Sequence, residues 1–571
     1  MPDPSSTDPA LPLIHEGWDH LQHQRPLAAW ASWRRALRLT PEQPAATRAL
    51  DVLANAGDLP EAARAEYRFL TPVGEGQRAR WDALFRGRNL EELTVAAEAF
   101  QQIASEDPAD GRARFNQGLC LSWLGKNLEA VEALGLAVQG LAVDEPGAAV
   151  DAWTLAEVLR QGGGAEPIAD DLSHAVTLTW TPGEDPVGFL DEHPDLRAVP
   201  NPVDPSTGQP RLSDAKLYEW LEGPESGIRR VRATVIRSPR TLRLSGTDPI
   251  LLAEARDEVV SRVEGRIASI RAEATPLPLA FLDAALWAIR LPAEADEDER
   301  ASLNRSAVER YYEGAWLRRP RLGLDGKSPV EAGRLASGDP VMRARLSAVV
   351  RLREQLGARP TTALLYQGYP FDRLRRRLGL EPTDPEAIEP SDPSSMSAEE
   401  LDRLDPSPMV DPALADAYES AAALGDDART ARFAEVLADR DPVAMARLDV
   451  PALFATLIRH ALAGDDPDLA LRRVDQAQEV DRALHAGAGH RTFETWRAEI
   501  LARAGRPDAS ALVYRNLLDR SPSDAALALD AAETLLDNGF DDHARELARL
   551  ALEVAREVGD LEVAERAETI A

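Results

Sequence analysis

At 571 residues the chain exceeds the roughly 250 to 300 residues that one hydrophobic core sustains, so about three structural units are expected. Its 44% hydrophobic and 28% charged residues suit a globular chain, while a formal charge of −31 repels phosphate backbones and anionic lipid heads and makes nucleic acid an unlikely partner. The single cysteine, Cys120, excludes an intramolecular disulfide and a thiolate zinc cage and suits a reducing, cytoplasmic setting.

The first residues, MPDPSSTDPALP, lack a basic segment followed by an apolar core, so no signal peptide is expected. Apolar runs such as Leu277 to Ile289, interrupted by Asp283, are too short to span a membrane. The basic residues are almost all Arg, which reads as bacterial-type base composition rather than function. The stretch Leu13 to Pro41 places Gly17, Ala29, Trp33 and Ala36 where one helix crosses another, ahead of a terminating proline. Weaker copies fall at Ala46 to Leu70 and Leu90 to Pro108. The clearest unit is Gly111 to Val143: Gly118, Gly125, Ala130, Leu134 and Ala137 occupy the crossings, Phe115 and Leu121 supply larger knobs, and Gly125 closes the turn.

A different pattern begins near residue 180. Pro and Gly crowd Thr181 to Pro210, which predicts a loop-rich entry. Val231 to Ile236 and Thr241 to Leu244, separated by RSPR, predict a β-hairpin. Leu252, Val259, Val263 and Ile267 share one face of an expected helix from Asp248 to Ala272. The run from Trp316 to Ala332 (WLRRPRLGLDGKSPVEA) predicts a turn and then a helix capped by Ser328, with Pro329 first and Glu331 completing a capping box. That run is also similar to a short signature of some bacterial regulatory and antitoxin-type domains. GLDGKS within it is no phosphate loop: Arg321 stands where the leading glycine belongs, and Pro329 removes a backbone donor. A Pro-, Ser- and Asp-rich linker is expected over 381–411.

Beyond the linker, Thr492 to Pro522 carries Gly505, Tyr514 and Pro522, and Ala525 to Val554 carries Gly539, Ala544 and Ala551. Ala413 to Pro442 and Pro451 to Asp481 are weaker copies, the latter with an extra residue in its turn. The 34-residue separation of Gly505 and Gly539, together with the units at the other end, resembles the tetratricopeptide repeat family over about half the chain. The resemblance implies a mainly α chain: two tetratricopeptide-like helical solenoids, at 10–165 and 412–571, flanking a smaller α+β central domain at 186–380 with a β-hairpin. It further implies a protein or peptide partner on the concave face, met by the first helix of each pair. Carried onto this chain, the contact positions are Trp18, Arg112, Phe115, Leu119 and Trp123 near the N-terminus, and Thr495, Glu499, Leu529 and Glu533 near the C-terminus.

The alternative surface is a regulatory or toxin-antitoxin-like module built on the hairpin arginines, Arg229, Arg230, Arg232, Arg237, Arg240 and Arg243, which have no acid among them and form a possible anion-binding set. The bland reading pairs these arginines with acids of the same molecule. His15, His20 and His23 lack further ligands at metal spacing, as do His485 and His490, so no metal or cofactor is expected. No G-x-S-x-G, H-E-x-x-H or G-x-G-x-x-G pattern occurs, and a catalytic role is not expected.

Overall fold

The structure is a computed structural model that describes the chain except residues 1–7, 71–92, 163–168, 182–185, 203–211, 213, 224–226, 264, 265, 274, 275, 367, 388 and 559. Parts of the loop-rich stretch Thr181 to Pro210 and the first residues of the Leu90 to Pro108 copy therefore lie outside the described residues. The chain forms two units, Met1–Ala387 and Ile388–Ala571.

In the first unit, α1 (Leu11–Gln22) pairs with α2 (Pro26–Leu39), and α3 (Pro44–Ala54) follows. The Ala46 to Leu70 copy completes no second helix. Its single turn Glu61–Arg64 gives way to extended chain, and Leu70 is held by the Asn116 side chain through both its N–H (2.9 Å) and its carbonyl (3.0 Å). Then come α4 (Leu93–Glu106), α5 (Gly111–Trp123), α6 (Asn127–Leu141) and α7 (Pro146–Gln161). Small residues bring α5 and α6 together: a Cβ on Gly118 would lie 2.7 Å from Leu134 Cγ, closer than any relaxed packing allows.

One turn geometry recurs through both arrays. The residue after the helix cap adopts a left-handed backbone at Gln24, Gly125, Gly425, Asp465, Gly505 and Gly539. The next N–H reaches back five residues, as in Lys126 to Leu121 (2.9 Å), Asp466 to Ala461 (3.0 Å) and Arg506 to Leu501 (2.9 Å). This is a Schellman motif, which satisfies the last carbonyls of the first helix and reverses the chain onto its partner. The turn at Asp465 holds no extra residue. Asp465 itself takes the left-handed position that glycine fills elsewhere, which an aspartate tolerates better than most side chains.

The middle of the first unit is an antiparallel sheet in the order β2-β3-β4-β5-β1-β6, built from β1 (Leu172–Thr179), β2 (Leu196–Val199), β3 (Lys216–Glu222), β4 (Arg229–Ser238), β5 (Thr241–Gly246) and β6 (Ser269–Ala272). The expected hairpin is β4 and β5, with Ser238 opposite Thr241. Helix α8 (Pro249–Val263) covers the sheet, burying Leu252, Ala255, Val259 and Val263 against Val176, Leu178, Trp220, Val235 and Leu244. It ends at Val263, short of the expected Ala272, because the following residues form β6 instead and pair Ile270 with Leu178 of β1. Backbone pairing of this exposed segment with a ready sheet edge outweighs helical periodicity there.

Next come α9 (Glu297–Arg310), a π-turn over Tyr311–Ala315 and a last helical turn, Trp316–Arg318. The box forms at the head of α10 (Pro329–Ala336): Ser328 N–H donates to Glu331 Oε2 (2.7 Å), and Glu331 N–H donates to Ser328 Oγ (3.3 Å). Then α11 (Pro340–Gly357) packs on α7 of the N-terminal array. Arg351 bonds Asp151 (2.6 Å), Arg345 stacks on the Trp153 ring, and Arg359 donates to the Asp58 carbonyl (2.8 Å). The N-terminal helices and the central region thus share one unit.

The second unit begins with a 3-10 turn, Pro393–Ser395, and a capped helix, Ala398–Arg403, within the stretch expected as a Pro-, Ser- and Asp-rich linker. Four pairs follow: α12 (Asp411–Ala423) with α13 (Asp427–Ala438), α14 (Val450–Ala463) with α15 (Pro467–His485), α16 (His490–Arg503) with α17 (Pro507–Arg520), and α18 (Ala525–Asp537) with α19 (Asp541–Val558). Helix α20 (Leu561–Ile570) lays Val563, Ala567 and Ile570 over the last pair and closes its apolar end. The chain is mainly α, with tetratricopeptide-like helix pairs in both terminal regions and an α+β middle.

Candidate functional site

The N-terminal contact positions are mostly interior. Phe115 and Leu119 are buried, and Trp123, 6% exposed, stacks on Trp30 (5.7 Å) and meets Phe69 edge-on (5.2 Å). Arg112 makes a two-pronged bond to Glu145 (2.7 and 2.8 Å) that ties α5 to the start of α7. Only Trp18 keeps a large exposed surface, 37%, and its other side packs edge-on against Trp33. Four of the five residues therefore serve packing or pairing within the array. The spacing that marks a helix face cannot tell which neighbour covers it, and here the extended chain carrying Phe69 does.

The hairpin arginines are largely neutralised by the same unit. Arg229 pairs with Asp195 (2.7 Å), Arg230 with Asp248 (2.9 Å), Arg232 with Glu258 (2.8 Å), Arg237 with Asp191 (2.6 Å) and Arg243 with Glu273 (2.8 Å). Arg240, in the turn, is exposed. Ion pairs with Lys216 and Arg237 and a bond from Tyr218 hold the Asp191 carboxyl well below the ordinary carboxylate range. The motif from Trp316 to Ala332 is likewise spent internally: Trp153 Nε1 donates to the Gly323 carbonyl (3.0 Å), Leu322 N–H donates to Asp170 (2.8 Å), and Arg345 pairs with Asp325. GLDGKS is a turn closed by an Arg321–Lys327 bridge.

The C-terminal array offers a different surface. Its first helices α14, α16 and α18 line a groove of about 460 Å³. Ile458 and Leu462 come from α14, Trp496 and Ile500 from α16, Thr534 and Asp537 from α18, and Asn538 from the cap at its end. Ile458 and Ile500 are buried and Trp496 is half-buried, so the floor is apolar with an aromatic wall. Arg459 and Arg503 stand at the rim with Glu499 and Asp537. Arg459 reaches Asp427 at 3.6 Å, whereas Arg503 has no carboxylate partner among the described residues. Partial desolvation against the groove, with the Asp530 carboxylate as a second cause, raises the pKa of Glu499, which keeps an exposed edge.

Of the C-terminal contact positions, Glu499 lines this groove, Thr495 is half-buried one residue before Trp496, Leu529 is buried, and Glu533 is bonded to Arg566 (2.7 Å). The stripe facing the groove is 496, 499, 500 and 503, one position round from that implied by the repeat resemblance. Trp496 was missed, though its spacing to Ile500 and Arg503 is a helical i, i+4, i+7 series.

No protein-family model matches the chain, and no curated protein matches it. Among solved structures, the crystal structure of yeast Tom70 aligns over 98% of this chain and 95% of its own, at 12% identity and a TM-score of 0.18. At that score the two share no defined arrangement, and the description of paired helices rests on the turns and crossings above.

Proposed function

We propose that the chain is a non-catalytic interaction scaffold whose C-terminal array holds an extended segment of a partner protein along the face of α14, α16 and α18. The groove with Trp496 on its wall and Arg503 unpaired at its rim carries this reading. A half-buried aromatic beside buried isoleucines offers apolar area, and aromatic and arginine side chains supply most of the energy at such contacts. The segment that fits presents one apolar side chain to the floor and a carboxylate to Arg503. The N-terminal array and the sheet support this scaffold through their internal pairs and are not assigned a binding face.

The test is a peptide library read by fluorescence anisotropy against the purified chain. Wild type is expected to select peptides with an apolar residue near an acid, and Trp496→Ala with Arg503→Glu is expected to weaken them at least about tenfold, a loss of about 1.4 kcal/mol or more. Retained helicity by circular dichroism shows that the variant folds. Equal binding by wild type and variant would place the contact elsewhere.

A further inference from the structure

A recess with largely apolar walls lies in the middle of the first unit, apart from any repeat face. Its volume is about 560 Å³, within the range of small-molecule pockets. Trp287 and Tyr311 supply flat walls, the fully buried Trp316 backs them, and Ala285, Ala307 and Ala315 leave the space between them open. The π-turn makes this possible. By inserting one residue into the helical ladder at Tyr311–Ala315, it sets Tyr311, Ala315 and Trp316 along one wall, and such turns often mark ligand sites.

The charge around this recess is unbalanced toward positive. Arg230, Arg310 and Arg319 line it, against Asp171 and Asp248. Asp248 is taken by Arg230. Asp171, almost fully buried, is shared by Arg353 (3.1 Å), Arg321 (3.7 Å) and Arg319 (3.8 Å). Burial alone would raise its pKa, but those three guanidiniums more than reverse that and keep it ionised below the usual range. Arg321 is fully buried, yet its Nε and Nη1 have no hydrogen-bond acceptor, and its Nη2 reaches only Tyr311 Oη, at 3.5 Å. Arg310 is exposed at the rim, and among the described residues its hydrogen bond goes to Ser306 Oγ (3.4 Å) rather than to a carboxylate. The acids behind this wall, Glu157 and Asp170, are already bonded to Arg160. In a chain of net charge −31, one carboxylate among three guanidiniums with a fourth arginine free at the entrance is a local excess of cations.

We propose that this recess binds a small organic anion: a flat apolar body against Trp287 and Tyr311, with its carboxylate at Arg310 and Arg319. An apolar cavity selects the body and the guanidiniums select the charge, by charge-assisted hydrogen bonds in a partly desolvated place. The proposal is independent of the groove in the second unit.

The probe is 1-naphthoate, titrated into the full chain by calorimetry, with 1-naphthylmethylamine as the cation of matched shape. One site of micromolar affinity is expected for the carboxylate, with the amine at least about tenfold weaker. Arg310→Glu with Arg319→Glu is expected to weaken naphthoate at least about tenfold and to narrow or invert the preference over the amine. Ala307→Trp, which fills the recess, is expected to abolish both. Arg310 is exposed, and Asp171 keeps Arg321 and Arg353 when Arg319 is reversed; unchanged circular dichroism of the double variant is the folding control, and Arg310→Glu alone, expected to weaken naphthoate severalfold, keeps the charge test standing if either other variant unfolds. No binding by wild type, equal affinity for acid and amine, or undiminished binding by the double arginine variant would overturn the proposal.

Discussion

Glu499 is a carboxylate on a binding face whose surroundings disfavour its charge. Partial desolvation against the groove raises its pKa although one edge stays exposed, and Asp530, itself exposed and with a pKa raised the same way, adds a like charge from the neighbouring first helix. A carboxylate whose folded pKa exceeds its unfolded one binds its proton more tightly in the folded state. Its stabilising contribution is therefore complete at acid pH and is lost as pH rises through the folded value. Glu499→Gln is accordingly expected to raise the melting temperature of the second unit at pH 7 and to leave it unchanged near pH 3.5, below the unfolded glutamate's usual value of about 4.3. Thermal unfolding followed by circular dichroism at the two pH values checks this. A variant that melts lower than wild type at pH 7 would show that the ionised Glu499 makes a favourable contact.

Among elements, the loop after the π-turn, in a run that reads as a turn and a capped helix and also resembles a regulatory signature, joins the middle of the unit to α7. Gly323 touches α7 so closely that a side chain there would run into the Glu157 carboxylate and the Arg160 guanidinium, both buried and bonded to each other. Gly323→Leu is expected to destabilise the first unit by about 3 kcal/mol, since neither partner of a buried pair can turn to solvent without leaving the other uncompensated. A lowered urea midpoint for the first unit, with the second unit's transition unmoved, is the outcome to look for. The same contrast explains what was legible in advance. Helix pairs are written in local signals, namely Gly or Asp at the left-handed turn and small residues at the crossing, and these placed Gly118, Gly125, Gly505 and Gly539 correctly. Ser328, Pro329 and Glu331 were equally readable because a capping box involves only neighbours. The end of α8, the burial of Phe115 and Leu119 and the cover that Phe69 lays on Trp123 were not, because each depends on a segment distant in sequence.

At the scale of the molecule, the division at residue 387 falls inside the stretch read as a linker, so the Pro- and Ser-rich composition marked the boundary even though part of that stretch is ordered. The second unit has what an independent fold requires. Tyr514, Leu527, Leu535, Leu547 and Ala551 form a continuous core through its last pairs, α20 closes one end, and the capped Ala398–Arg403 helix leads into α12 at the other. Arg429 binds Asp402 in a two-pronged pair (2.7 and 2.9 Å), which ties that leading helix to α13. A chain of this length buries roughly 70% of its unfolded surface, ample for autonomous stability. Residues 389–571 expressed alone are therefore expected to be helical, to melt cooperatively and to bind the selected peptides as tightly as the full chain, since every groove residue lies within them. A fragment that stays unfolded would show that the first unit completes its core. A folded fragment with more than tenfold weaker binding would instead assign part of the partner contact to residues before 388, with Trp18 the first exposed aromatic there to replace.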